Sequence, residues 1–170
     1  MSYIIAILAI ILGVGLDQYT KYLAASHLQD KPISIIEGVF ELQYLENRGA
    51  AFGMLQNQQT FFFIIGIVTL VIIAIIYIRM PHDKFYIPLR LCMVSIVIGA
   101  IGNMIDRIRL KYVIDFLYFK LIDFPIFNVA DIFATVATFG LVILLMFYYK
   151  DEDLDVIAKE ISFKKNEKQE

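Results

Sequence analysis

Residues 61–78, Phe-Phe-Phe-Ile-Ile-Gly-Ile-Val-Thr-Leu-Val-Ile-Ile-Ala-Ile-Ile-Tyr-Ile, carry no charge on any face of a helix. In water such a run would need protein around its whole circumference, whereas a bilayer core accepts about 20 residues of it directly. The chain is uncharged back to Gly49 and meets Arg79 immediately after Ile78. Three further stretches share this character: Tyr3 to Leu16, extendable as a helix through Tyr22 to Ala25, then Leu91 to Ile105, and Ile132 to Tyr149. Each reaches spanning length with its flanks, which predicts an all-α membrane protein with transmembrane helices at 3–25, 60–79, 87–106 and 131–149. Residues 1–150 form one integral-membrane domain in this reading, with a small β-rich interfacial region on the side of the long connections. Residues 151–170 are a charged tail on the side of the termini, expected to be solvated and partly disordered.

Composition agrees. Of 170 residues 59% are hydrophobic, and the mean hydropathy of +0.71 is far above what a small soluble core uses. With 15 Lys and Arg against 17 Asp and Glu, no basic field exists to hold a nucleic acid. A single cysteine, Cys92, and two isolated histidines, His27 and His82, give no internal disulfide and no zinc-ligand spacing, so no metal or cofactor is expected. The first apolar run ends near Ala24-Ala25-Ser26, as a cleavable signal peptide would. However, Met1 to Leu16 has no Lys or Arg, and Asp17 and Lys21 would fall inside the removed segment, so a retained helix is the reading adopted.

Four spans place both termini on one side and the connections 26–59 and 108–130 on the other. Lys and Arg divide eight to seven between these sides, a lean of one residue toward cytoplasmic termini that leaves both orientations open. Asp17, Asp106 and Asp131 all fall at the ends of spans that reach the long connections. Ionisable groups at membrane depth are costly, and three on one face predict a site there. Asp17 precedes Lys21 by four, so the two also suit a simple ion pair. Ser95, Gly99, Gly102, Asn103 and Asp106 make a small and polar stripe on the third span, with Arg107 as a charged partner for it. Asn128 fits a helix N-cap with Asp131 at the third helical position, where free backbone N–H groups favour an ionised carboxylate.

Residues 112–119, Tyr-Val-Ile-Asp-Phe-Leu-Tyr-Phe, read as a strand with Asp115 on a face with Val113, Leu117 and Phe119. Apolar surroundings would hold that carboxyl protonated. One charged and one neutral carboxylate are the halves of an aspartic-protease pair, and spacing leaves open whether Asp106 or Asp115 faces Asp131. Val39 to Leu45 alternates as a short strand that would lie on the membrane surface. Asn47 and the small residues from Gly49 to Gly53 suit close approach of backbone by a ligand.

Five blocks carry a resemblance: Asp17-Gln18-Tyr19-Thr20-Lys21, Asn47 to Gly53, Gly102-Asn103-Met104-Ile105-Asp106-Arg107, Val113-Ile114-Asp115-Phe116, and Phe127-Asn128-Val129-Ala130-Asp131. In order and in four-span context they resemble the signature of lipoprotein signal peptidase, the type II signal peptidase of bacteria. The resemblance implies an aspartic endopeptidase of the cytoplasmic membrane, with the β-rich region extracytoplasmic and the termini and the tail 151–170 cytoplasmic, acting at the outer face on diacylglyceryl-modified prolipoproteins and cutting just before the lipidated cysteine. It implies Asp115 and Asp131 as the catalytic pair, with Asp17, Lys21, Asn47, Gly49, Asn103, Asp106, Arg107, Asn128 and Ala130 supporting the site or holding substrate. Ile98, where many relatives carry glycine, departs from the pattern and implies altered packing. On this reading the partners are the lipid-modified precursor and membrane lipid, Gly99 and Gly102 leave room for the signal helix, and loop 32–60 closes over it as a lid. A small transporter or channel subunit, an assembly factor and a metal-dependent hydrolase are the alternatives; the first would spread polar residues through the membrane depth.

Overall fold

A computed structural model describes residues 1–49 and 58–162. Among these, four helices are long and apolar enough to cross a membrane, at Tyr3–His27, Thr60–Arg79, Lys84–Leu110 and Val129–Tyr148, within a few residues of the four expected spans. Helix α1 is Tyr3–His27, α2 is Gln59–Arg79, α3 is Ile87–Leu110 and α4 is Val129–Ile143, and a final helix α5 occupies Asp151–Ile161. Strands β1 (Ile33–Ile36), β2 (Phe40–Asn47) and β3 (Val113–Tyr118) form an antiparallel sheet in the order β1-β2-β3. Neither the edge strand β1, which pairs with β2, nor α5 was expected from the sequence.

Local chemistry sets the boundaries. Ser2 caps α1 by accepting from the Ile5 N–H at 3.3 Å. Helix α3 runs past Asp106 to Leu110 and stops where Lys111 turns left-handed at φ 68°, its N–H returning to the Arg107 carbonyl. Helix α4 begins with a capping box. The Asn128 side chain accepts from the Asp131 N–H, and the Asp131 carboxylate accepts from the Asn128 N–H, as the spacing of the two residues predicts. Beyond Ile143 the helix widens into a π-type turn, Leu144–Tyr148.

Helix α3 is the axis of the bundle, contacting α1, α2 and α4, while α2 turns Ile64, Val68, Val71 and Ile72 outward. Such outward apolar surface is stable against lipid, not water. Near the termini a core forms from Tyr77, Met80, Tyr86, Leu89, Met93, Tyr149 and neighbours. There Arg90, fully buried, donates to the Tyr77, Met80 and Pro81 carbonyls, closing the C-terminus of α2, and its guanidinium lies 4.5 Å from the Tyr77 ring centre. A second core, Ala24, Leu28, Ile114 and Phe116, joins the sheet to α1.

The expectation of a partly disordered tail fails over Asp151–Ile161. Leu154 and Ile157 pack onto the terminal core, Tyr86 donates to the Asp153 carbonyl, and Arg79 donates to that of Glu160. Acids in its first turn favour the helix, and the same acids obscure its apolar stripe in a composition reading. Strand β3 also differs from simple alternation: Val113, Ile114, Asp115 and Phe116 are all buried, because its two faces are covered.

Candidate active site

Asp115 and Asp131 reach one place because the chain between them is tied to β3. Leu117 and Phe127 exchange backbone bonds, the Phe127 N–H donating to Leu117 O at 3.0 Å and the Leu117 N–H to Phe127 O at 2.8 Å. The capping residue Asn128 follows directly and, with no exposed surface, touches both carboxylates. Its side-chain Nδ2 donates to Asp115 Oδ1 at 2.6 Å, while its backbone N–H donates to Asp131 Oδ2 at 3.1 Å.

Two further asparagines hold the remaining oxygens. Asn47 Nδ2 donates to Asp115 Oδ2 at 2.8 Å, and the Gly49 N–H donates to Asn47 Oδ1 at 2.9 Å, which fixes that amide's orientation. Asn103 Nδ2 donates to Asp131 Oδ1 at 2.7 Å. Burial first, and the charge of Asp131 second, push the Asp115 carboxyl up to about 7 against the opposing pull of its two amide donors. Both acids open onto a cavity of about 240 Å3 that also meets Asn47, Gly49, Asn103, Arg107, Thr135 and the wall Phe124 to Phe127.

Beneath this pair lies a buried ionic cluster. Lys21 contacts Asp17 at 3.0 Å, Asp106 at 2.9 Å and Asn103 Oδ1 at 2.9 Å, all out of water. Asp17 Oδ1 accepts from the free Ala130 N–H in the first turn of α4 at 2.8 Å, and Asp106 Oδ2 accepts from the Ile114 N–H at 3.2 Å. The cluster thus pins α1, α3, β3 and α4 together at the site. It also answers the question that spacing left open: Asp106 is committed to Lys21 and β3, and Asp115 is the acid that shares a cavity with Asp131.

Two expectations need correction. Arg107 does not pair with Asp106: it donates to the Asn103 carbonyl at 3.4 Å, stacks 5.0 Å from the Phe62 ring centre, and lines the cavity beside the two acids. Gly99 and Gly102 leave no room for a foreign helix. A Cβ on Gly99 would meet the Ala130 carbonyl oxygen at 2.5 Å, and one on Gly102 would meet Asp17 Oδ2 at 2.5 Å and the Ala130 Cβ at 3.0 Å, so α4 and α1 already fill that surface. Of the supposed lid, residues 50–57 lie outside the described residues. Ile98 lies over Gly13, where a Cβ would meet its Cδ1 at 2.6 Å.

Sequence reasoning missed Gln18 and Thr135. Gln18 Nε2 reaches Asp17 Oδ2, Asp106 Oδ1 and the Gly102 carbonyl, and it was legible only as the neighbour of Asp17. Thr135 lines the cavity four residues after Asp131, on the same helix face, a spacing that would have found it.

Comparison with known proteins agrees with this layout. A family model described as signal peptidase (SPase) II matches residues 8–147. A lipoprotein signal peptidase of Streptococcus pyogenes serotype M1 is 45% identical over 150 residues, covering 86% of this chain and 94% of the relative. Another from Caldanaerobacter subterraneus subsp. tengcongensis is 46% identical over 146 residues, covering 84% and 96%. Two solved structures of a bacterial membrane enzyme superpose with TM-scores of 0.74 at 30% and 31% identity; they cover 99% and 86% of this chain and 96% of their own. With the four spans, the sheet and the signature side chains gathered at one end of the bundle, the chain belongs to the signal peptidase II family of bacterial membrane peptidases.

Proposed function

We propose that this chain is an aspartic endopeptidase with Asp115 and Asp131 as its catalytic pair. Its substrate is a prolipoprotein whose cysteine already bears diacylglyceryl, and the cut falls immediately before that cysteine. The observation that carries the reading is the pair itself: two acids on different elements, open to one cavity, each held on both oxygens by N–H donors. The family's relatives, named for lipoprotein signal peptidase activity, supply the substrate class.

Two adjacent carboxylates bind one proton between them. With its carboxyl drawn up to about 7, Asp115 holds that proton at rest. Asp131 takes a proton from water as the water oxygen attacks the scissile carbonyl carbon, and Asp115 gives its proton to the carbonyl oxygen, yielding a neutral gem-diol. Asp131 then protonates the departing amine nitrogen as the C–N bond breaks, and Asp115 recovers a proton from the diol as the new carboxyl group forms. No covalent enzyme intermediate is required. The asparagines keep both carboxylates from rotating, which is their contribution to orientation.

Arg107 also lines a second cavity of about 280 Å3 with Thr60, Phe63, Ile108 and Lys111, placing an apolar and cationic recess beside the acids for the substrate's lipid and its ester oxygens. Exposed Ile33, Ile35, Ile36, Leu121 and Ile122 around the sheet suit an interfacial position, with the site at the outer face and the termini and α5 cytoplasmic. An ion-transport reading lacks support, since between Arg90 and the ionic cluster no buried charged side chain appears among the described residues.

The test is cleavage of a diacylglyceryl-modified precursor and its unlipidated twin by wild type and Asp115→Asn, with EDTA present. Cleavage confined to the lipidated form and lost in the variant is expected. Substantial turnover by Asp115→Asn, or inhibition by EDTA, would overturn the aspartic assignment, and equal cleavage of both precursors would overturn the lipid requirement.

A further inference from the structure

A cavity of about 360 Å3 lies between α1, α2 and α3, in the half of the bundle nearer the termini. That volume is within the range of small-ligand sites. Its walls are apolar, Ala6, Ile10, Leu70, Ala74 and Val97 among them, and none of its lining residues is shared with the cavity at Asp115 and Asp131. From Tyr3 to Ile10 on α1, and from Ile78 back to Leu70 on α2, it extends about 10–12 Å along the helices, roughly a third of the hydrocarbon thickness. Apolar cavities stay dry, so in a bilayer the occupant of such a recess is hydrocarbon.

One polar group marks the interface end. The Tyr77 hydroxyl is buried and has no hydrogen-bond partner among the described residues, although its ring is fixed by Arg90 and by Tyr3, 6.0 Å away. An unmade bond at a buried hydroxyl is costly, and at this depth the acceptor a lipid offers is the ester carbonyl of its glycerol. The neighbouring Tyr3 hydroxyl already donates to the Ile78 carbonyl, and exposed His82 packs 5.2 Å from the Tyr3 ring.

We infer that this cleft binds one acyl chain of a bilayer glycerophospholipid from the leaflet at the termini end, with an ester carbonyl accepting from Tyr77. The site is separate from substrate. On α1 the cleft ends at Ile10, seven residues or about 10 Å short of Asp17, and on α3 it reaches Ile101, six residues or about 9 Å short of Arg107, so the substrate lipid beside Arg107 lies beyond its inner end, toward the opposite leaflet.

The test uses the full chain in nanodiscs containing phosphatidylglycerol with a diazirine midway along one acyl chain, crosslinks being mapped by mass spectrometry. Labelling is expected to concentrate on Ile10, Ala74 and Val97. It should be lost in Ala74→Phe, which fills the cleft, and fall about five-fold in Tyr77→Phe, the value of one hydrogen bond. Both variants should keep wild-type peptidase activity. Labelling no denser there than on lipid-facing Val136 and Phe139 would overturn the site, as would labelling unchanged in Ala74→Phe. Displacement by a non-cleavable signal peptide would assign the cleft to the substrate helix instead.

Discussion

Lys21 donates to the side-chain oxygen of Asn103 at 2.9 Å, and that bond decides which end of the Asn103 amide faces Asp131. An amide has one accepting end and one donating end. Because Oδ1 is occupied by Lys21 and by Asn128, Nδ2 is turned to the Asp131 carboxylate. The other two N–H bonds of Lys21 go to Asp17 and Asp106, so the ammonium is fully used and cannot drift. The ionic cluster therefore orients the proposed general base through a single intervening side chain.

Lys21 and Asn103 should fail in different ways. Lys21→Met leaves Asp17 and Asp106 buried without a cation, which costs about 3–5 kcal/mol and appears as a lower Tm. Asn103→Ala removes the bond donated to Asp131 together with those accepted from Lys21 and Asn128, while Lys21 keeps both carboxylates and Asn128 keeps Asp115. The bond to the Asp131 carboxylate is worth about 1.5–3 kcal/mol, so kcat should fall roughly 10- to 100-fold with a smaller loss of Tm than in Lys21→Met. Thermal melts and kcat measured side by side distinguish the two. A Lys21→Met protein with wild-type Tm, or an Asn103→Ala protein with full kcat, contradicts this division of roles.

The pH dependence follows from Asp115. Its carboxyl titrates at about 7, above the ordinary 3.8, and it must be protonated to act as the acid, so kcat/KM should decline as pH rises through about 7. The apparent value belongs to the pair. The same raised value means that the folded chain holds this proton more firmly than the unfolded chain between about pH 4 and 7, so this group's contribution to stability diminishes as pH climbs through that window. Asn47 donates to the ionised form and draws the value down. In Asn47→Ala the alkaline limb of kcat/KM should therefore move to higher pH; a limb that moves down would exclude Asp115 as the proton donor.

Much of this was legible in the sequence where the physics is local. A bilayer demands uninterrupted apolar helices, so gaps in charge marked the four spans, and capping geometry placed Asn128 and Asp131 from spacing alone. The Asp17–Lys21 contact followed from an interval of four. What spacing could not deliver were contacts between elements. Asp106 reaches Lys21 across two helices although Arg107 stands beside it in sequence, and Asp115 meets the asparagine before α4 only because Leu117 and Phe127 pair through backbone. The resemblance, not the periodicity, picked Asp115. A stripe of small residues announced close packing at Gly99 and Gly102 but not that the chain's own helices fill it.

That packing makes the glycines unequal. At Gly99 an added Cβ strikes the Ala130 carbonyl oxygen at 2.5 Å and the Ala134 nitrogen at 3.1 Å, both backbone, so the first turn of α4 must move and carry Asp131 with it. At Gly13 the obstacle is the Ile98 side chain, met at Cδ1, Cγ2 and Cγ1 between 2.6 and 3.0 Å, so the clash falls on a buried β-branched side chain of α3 and not on the backbone that carries Asp131. Gly99→Ala should cost about 1–3 kcal/mol and depress kcat further than its stability loss explains, while Gly13→Ala should cost stability in the same range with normal kcat. Equal effects on kcat would mean that α4 is not positioned through this contact.

Helix α5 provides a test at the far end of the molecule. Ile157 is 7% exposed in the terminal core and Val156, its neighbour, is 44% exposed. Ile157→Ala should cost up to about 2 kcal/mol, limited by the ease with which a short helix can detach instead of leaving a cavity. Val156→Ala should change stability by no more than about 0.5 kcal/mol. Amide hydrogen exchange over Asp151–Ile161 should accelerate in the first variant alone, and cleavage by both should match wild type, because α5 packs against α2 and the terminal core rather than the acids. If the two variants exchange alike, the apolar stripe does not anchor this helix. If Ile157→Ala also slows cleavage, the two ends of the bundle are coupled through α2 and α3, and the positions of α5 and of Asp115 and Asp131 are not independent.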